Sequence, residues 1–120
     1  MEKSGMNIIT TLKKNGDFRR LYSKGKSAVN PYIVVYCRRS PAGVGRVGYT
    51  VSVKLGHAVV RNRVRRRLRE IYRLNKASLK PGWDMVIVAR TRCVGAKYEK
   101  INSAFLDACG KLGILKEREK

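Results

Sequence analysis

The side chains able to do chemistry are unevenly spread along this chain. In VVRNRVRRRLRE, residues 59–70, six arginines fall within the nine positions 61–69, and one acid, Glu70, accompanies them. Guanidinium pairs with phosphate in bidentate fashion, so arginine in preference to lysine points to defined phosphate geometry. The groups a protein nuclease would need are sparse. Asp17, Asp84 and Asp107 are the only aspartates, and Glu2, Glu70, Glu99, Glu117 and Glu119 are scattered. Two-metal hydrolysis needs carboxylates that converge on ions a few ångströms apart. His57 is the single histidine. With no acid nearby in sequence to orient it, it reads as a loop-end or helix-start residue and not as a general base. Cys37, Cys93 and Cys109 are odd in number, far apart and without CxxC spacing. They suit buried thiols of a reduced, cytoplasmic protein better than a disulfide frame or a zinc site. No catalytic residue and no metal ligand set is read from the chain.

The bulk properties agree with a polyanion partner. Twenty-eight Lys and Arg face eight Asp and Glu, a formal net charge of +20 over 120 residues. That charge repels itself in a compact fold unless a partner neutralises it. Nucleic acid is the first expectation, and an anionic membrane surface the second. No apolar run approaches the ~20 residues of a membrane-spanning helix, and MEKSGMNIITTLKKNG lacks the apolar centre of a signal peptide. The length suits one domain, residues 1–120, with a core over about 10–113 and basic tails.

The elements that must position the arginines can be read from periodicity. NGDFRRLYSKG (15–25) is a short helix, with Asn15 or Asp17 to cap it, Gly25 to end it, and Phe18, Leu21 and Tyr22 on one face. NPYIVVYCRR (30–39) and RVGYTVSVK (46–54) are strands that read as a hairpin. In the second, Val47, Tyr49, Val51 and Val53 alternate onto a core face. Residues 58–75 form a long helix whose apolar arc holds Val60, Val64, Leu68, Ile71 and Leu74. Arg61, Arg65, Arg66, Arg69 and Arg73 take its flank and back, while Arg67 points into the arc and must snorkel at its edge. DMVIVAR (84–90) is apolar on both faces, hence a central strand. KYEKINSAFLDACGKLG (97–113) is a final amphipathic helix with Tyr98, Ile101, Phe105, Cys109 and Leu112 inward, and KEREK is a charged tail. The order α-β-β-α-β-α makes an α+β sandwich of helices against a small mixed sheet.

The arginine run is therefore a cationic stripe on a helix whose other face is core. One acid cannot neutralise it by i, i+4 pairing. Flanking strands argue against a helix-turn-helix. A structured or single-stranded RNA fits better, because rings are available for stacking. On the first strand, Ile33, Val35 and Cys37 are expected in the core. Tyr32 and Tyr36 then line a surface beside Phe18 and Tyr22. Phe18 serves that surface or simply packs its helix on the sheet; for Tyr36 the surface reading is preferred.

At these residues the chain reaches a family. KLGHAVVRNRVRRRLRE strongly resembles the RNR signature of the bacterial ribonuclease P protein component. LKKNGDFRRLYSKGKS resembles that family's first helix, and GWDMVIVAR its central strand. The resemblance covers roughly residues 10–113 in unbroken order. It implies a small protein subunit, a monomer without RNA, that assists a catalytic RNA in removing the 5′ leader of precursor tRNA. The RNA carries the catalytic groups and binds most of the Mg2+. It also implies a ribosomal-protein-like fold with a left-handed βαβ crossover, against the usual rule. Position by position, Lys54, Arg61, Asn62, Arg63, Arg65, Arg66 and Arg69 match positions that bind the catalytic RNA. Phe18, Tyr22 and Tyr36 match aromatic positions of the leader cleft. Val53 stands where a basic residue is frequent, His57 where Asn is common, and Arg67 where an aliphatic residue is usual. The alternative is a ribosomal or nucleoid protein that binds RNA or DNA without a catalytic role. A stand-alone metallonuclease is opposed by the missing carboxylate cluster.

Overall fold

The computed structural model describes residues 10–11, 15–40, 43 and 45–116; the side chains of Thr10, Thr11, Asn15 and Asp17, and all of the expected KEREK tail beyond Lys116, lie outside what is described. The expected caps Asn15 and Asp17 fall among these. In chain order the elements are β1 (Thr10–Thr11), α1 (Asn15–Lys24), β2 (Lys26–Val29), β3 (Ile33–Arg39), β4 (Arg46–Thr50), α2 (Ala58–Asn75), β5 (Trp83–Ala89) and α3 (Tyr98–Leu112). They form one α+β domain on a mixed sheet of order β1-β4-β5-β3-β2.

The order corrects the expected hairpin. β3 and β4 are not neighbours; β5 lies between them, antiparallel to β3 and parallel to β4. The reason is burial. Met85, Val86, Ile87 and Ala89 are all buried, and a strand apolar on both faces is stable only in the middle of a covered sheet. The hairpin partner of β3 is β2, a strand the sequence reading missed because only Ala28 of its four residues is buried. Asn30 makes the turn. Its Oδ1 accepts from the amides of Tyr32 and Ile33, and its Nδ2 donates to the Ala104 carbonyl. This is side-chain mimicry of a backbone turn.

The main core lies between the sheet and α2 with α3. Ile33, Val35 and Cys37 enter it fully buried, as expected, and so do Ile101, Phe105 and Cys109 of α3. α2 keeps the expected bounds, but its buried arc is Val64, Leu68, Ile71 and Tyr72. Leu74 is 56% exposed. The arc is rotated toward Tyr72, and Asn75 closes it by donating to the Ile71 carbonyl and to Asn102. Val53 also leaves the core. β4 stops at Thr50, and Ser52 accepts from the Lys54 amide to open a single 3-10 turn over Val53–Leu55, which leaves Val53 73% exposed. Tyr32 packs against the main core and not beside α1.

α1 packs on β3 and β5 from the opposite side of the sheet. There Leu21 and Val86 are buried, with Phe18, Tyr36 and Val88 packed around them. At one end of this layer the buried Asp84 carboxylate accepts from the Arg46 amide, Nε and Nη2, the last at 2.8 Å.

Candidate nucleic-acid interface

Two surfaces hold the residues singled out above. The first is built by α1 and β3. Alternation along β3 sends Tyr36 to the α1 side, since Ile33, Val35 and Cys37 go the other way. The i, i+4 spacing stacks Phe18 above Tyr22 on α1, with ring centroids 6.5 Å apart. Tyr22 and Tyr36 meet edge to face at 4.9 Å with their planes 72° apart. All three predicted aromatics are therefore together. Phe18 and Tyr36 are half-buried, and Tyr22 is 40% exposed. Phe18 thus has a packing role against the Leu21–Val86 cluster and a face still open to solvent. The Tyr22 hydroxyl is 2.9 Å from Thr50 Oγ1 at the end of β4.

The second surface is α2. Asn62, Arg63, Arg66 and Arg69 are exposed, as is Lys54 in the turn before the helix, and Arg61 and Arg65 are half-buried. Arg65 Nη1 donates to Asn62 Oδ1 at 3.1 Å, which holds both side chains over one turn. Arg73 is neutralised by Glu70 through two hydrogen bonds, which lower the carboxyl pKa of Glu70. Among the described residues, Arg63, Arg66 and Arg69 meet no acid, and Glu70 is the only acid on this helix. Arg69 lies close enough to Tyr49 of β4 for its charge to act there. Burial pushes the Tyr49 hydroxyl up, Tyr72 adds to this, and the Arg69 charge opposes it.

Two arginines have structural ties that periodicity could not show. Arg61 Nε donates to the Gly56 carbonyl at 3.1 Å. Gly56 has φ +143°, and a Cβ there would meet Val60 at 3.1 Å. The junction before α2 is therefore tight, and Arg61 fastens it. Arg67 sits half-buried at the edge of the apolar arc, as expected, and Nη1 donates to the Ala96 carbonyl at 2.7 Å. His57 is the N-cap residue of α2 but makes no side-chain capping bond. Cys37, Cys93 and Cys109 are free and buried.

The two surfaces are joined through β4. Thr50 touches Tyr22, and the chain then runs through Ser52 and Lys54 into α2. Rings able to stack bases and cations able to neutralise phosphates thus adjoin one strand end. No helix is long and apolar enough to cross a membrane among the described residues.

Comparison with known proteins places most of the chain and its fold. The sequence model of the family described as Ribonuclease P matches residues 6–113. The ribonuclease P protein component of Alkaliphilus oremlandii is 44% identical over 110 residues, 92% of this chain and 96% of that protein. That of Clostridium acetobutylicum is 42% identical over 91% of this chain and 93% of its own length. The structure of the Staphylococcus aureus RNase P protein superposes with a TM-score of 0.81 at 30% identity, covering 91% of this chain and all of that one. The Thermotoga maritima protein gives 0.76 at 30% identity, over 84% and 96% of the two chains.

Proposed function

The chain belongs to the bacterial ribonuclease P protein component family, the protein part of a tRNA-processing endoribonuclease, and from this membership we propose that it binds both the catalytic RNA and the single-stranded 5′ leader of precursor tRNA. Lys54, Arg61, Asn62, Arg63, Arg65, Arg66 and Arg69 contact the catalytic RNA. Each phosphate neutralised releases counterions, which gives affinity and a steep salt dependence. Phe18, Tyr22 and Tyr36 take the leader by stacking, a mode that tolerates any base. Holding the leader next to a bound catalytic RNA positions the scissile bond and lowers the entropic part of the barrier. The β4–α2–β5 crossover, which joins parallel neighbours, takes the left-handed sense in this reading.

The supporting observation is the join at β4, where the Tyr22–Thr50 hydrogen bond places the aromatic surface a few residues from the start of the arginine helix. Mg2+ belongs mainly to the RNA. Among the described residues no three His, Cys, Asp or Glu side chains come together to hold an ion. The protein's cations act indirectly, by relieving phosphate repulsion.

The test is reconstitution. RNA-free protein incubated with precursor tRNA and Mg2+ is expected to leave the substrate intact, and cleavage is expected on addition of the catalytic RNA. Cleavage before that addition, surviving nuclease controls, would overturn the reading. Sequencing the RNA bound to the protein in cells separates it from a ribosomal role: one long noncoding RNA supports it, and ribosomal RNA alone refutes it.

A further inference from the structure

A groove of about 380 Å³ lies between the first half of α2 and the segment that leads into α3. It is as large as the smaller ligand pockets of proteins. Its apolar lining comes from Val60 and Val64 on one side and from Cys93, Val94 and Tyr98 on the other. Arg63, Arg67 and Lys97 also line it, and no carboxylate does. Arg67 is committed to the Ala96 carbonyl and so holds the far wall against α2. Arg63 and Lys97 are exposed and have no acidic partner among the described residues. The first turn of α3 opens beside them with no side chain capping it and carries Glu99, so the pull on an anion comes from Arg63 and Lys97 and not from the helix start.

At 100° per residue, the arginines of α2 divide between two flanks. Arg63 and Arg67 turn toward the segment that leads into α3, whereas Arg69 lies on the other flank, where its charge acts on Tyr49 of β4. The groove also belongs to the main-core side of the sheet, opposite the layer that holds Phe18, Tyr22 and Tyr36. It is therefore separate from the surface assigned to the leader. Two uncompensated cations at the rim of an apolar slot suit an anion that carries a flat ring. A nucleotide turned out of a loop or bulge has that chemistry.

We propose that this groove takes one unstacked nucleotide of the catalytic RNA, its phosphate between Arg63 and Lys97 and its base against Val94 and Tyr98. The proposal rests on the RNA-binding reading above and adds a second contact face to it. Arg67 acts as a positioning residue, since its guanidinium holds the wall and not the ligand.

The experiment compares assembled holoenzymes. Lys97→Glu reverses charge at the rim; an acid at a helix start is favourable for folding, so the melting temperature is expected to hold. Lys80→Glu, at an exposed lysine outside the groove, controls for net charge. Lys97→Glu is expected to weaken binding of the catalytic RNA roughly tenfold more than Lys80→Glu, the effect of one lost charge-assisted hydrogen bond. The ratio of precursor to mature tRNA affinity stays unchanged. Separately, p-benzoylphenylalanine in place of Val94 is expected to crosslink to one or two adjacent nucleotides of the catalytic RNA. Equal weakening by both charge reversals would overturn the groove, as would adducts on the leader or no adduct in an assembled holoenzyme. Failure of the wild-type protein to bind the catalytic RNA would instead overturn the underlying reading.

Discussion

The Tyr22 and Tyr36 rings meet edge to face at 4.9 Å, one from helix α1 and one from strand β3. The contact ties a partly exposed helix to the sheet and leaves ring surface facing solvent. Such pairs contribute about 0.5–1.5 kcal/mol beyond the area they bury. A double-mutant cycle with Tyr22→Leu and Tyr36→Leu is expected to return a coupling of that size in unfolding free energy. Additive losses would mean that the rings do not interact in solution.

The same pair tests the proposed leader surface. Tyr36→Ala is expected to weaken precursor tRNA binding by about 1–3 kcal/mol, the value of one stacked base. Mature tRNA has no leader and is expected to bind as before. Because Tyr36 also packs on the Leu21–Val86 cluster, some stability is lost as well, and it is measured separately by thermal melting. Equal losses for precursor and mature tRNA would assign Tyr36 to packing alone.

Arg69→Ala is expected to leave the fold intact, since its side chain is exposed and bridges no acid. The slope of log K against log salt for the catalytic RNA is expected to become shallower by about 1. Arg61→Ala is expected to do more, because it also releases the Gly56 carbonyl and loosens the junction before α2. A salt slope unchanged in both variants would make these arginines ordinary solvated charges.

Much of this was legible in the sequence, and the omissions share a physical cause. Periodicity reports which face of an element is apolar, so the bounds of α2, the buried Ile33, Val35 and Cys37, and the central place of β5 could all be read directly. The side-by-side placement of Phe18, Tyr22 and Tyr36 followed from the same rule. Strand order is a long-range property, and local adjacency wrongly paired β3 with β4. Alternation continued past Thr50 puts Val53 inside, but β4 ends there and Ser52 opens a 3-10 turn instead. Leu74 and Tyr72 exchanged places because a small rotation of α2 on the sheet decides the edge of its arc. The carbonyl acceptors of Arg61 and Arg67 lie on backbone, which leaves no mark in residue identity. An NP dipeptide at Asn30 was the available signal for the β2–β3 turn.

The Arg46–Asp84 pair yields a stability prediction. Asp84 is almost fully buried, and among the described residues Arg46 supplies its three donors, the amide and Nε to Oδ1 and Nη2 to Oδ2. Arg46→Ala keeps the amide but strips the guanidinium from a buried carboxylate. A loss of about 3 kcal/mol in unfolding free energy is expected, the low end for an unpaired buried charge. Double replacement by apolar residues of similar volume is expected to recover most of it. A single variant as stable as wild type would show that water replaces the guanidinium.

The buried thiols make stability depend on alkaline pH. Burial pushes Cys109 up to about 12, with the neighbouring Cys37 adding to the shift. Burial also pushes Cys93 up to about 11, opposed by the charge of Arg67. Both lie above the ordinary thiol value of 9.0, so the folded chain holds these protons when the unfolded chain has released them. Stability is therefore full below about pH 9 and falls as pH rises through the folded values, by up to about 1.4 kcal/mol per pH unit for each thiol. Tyr49 and Tyr72, raised by burial as well, titrate in the same direction. Chemical denaturation at pH 8, 9, 10 and 11 is expected to show the decline, and Cys109→Ala is expected to flatten it even though the variant starts less stable. At pH 8 the same burial predicts that thiol reagents label no cysteine in the native protein and all three after denaturation. An unchanged slope in Cys109→Ala, together with rapid native-state labelling at that position, would show that the interior between β3 and α3 opens far more readily than its packing implies.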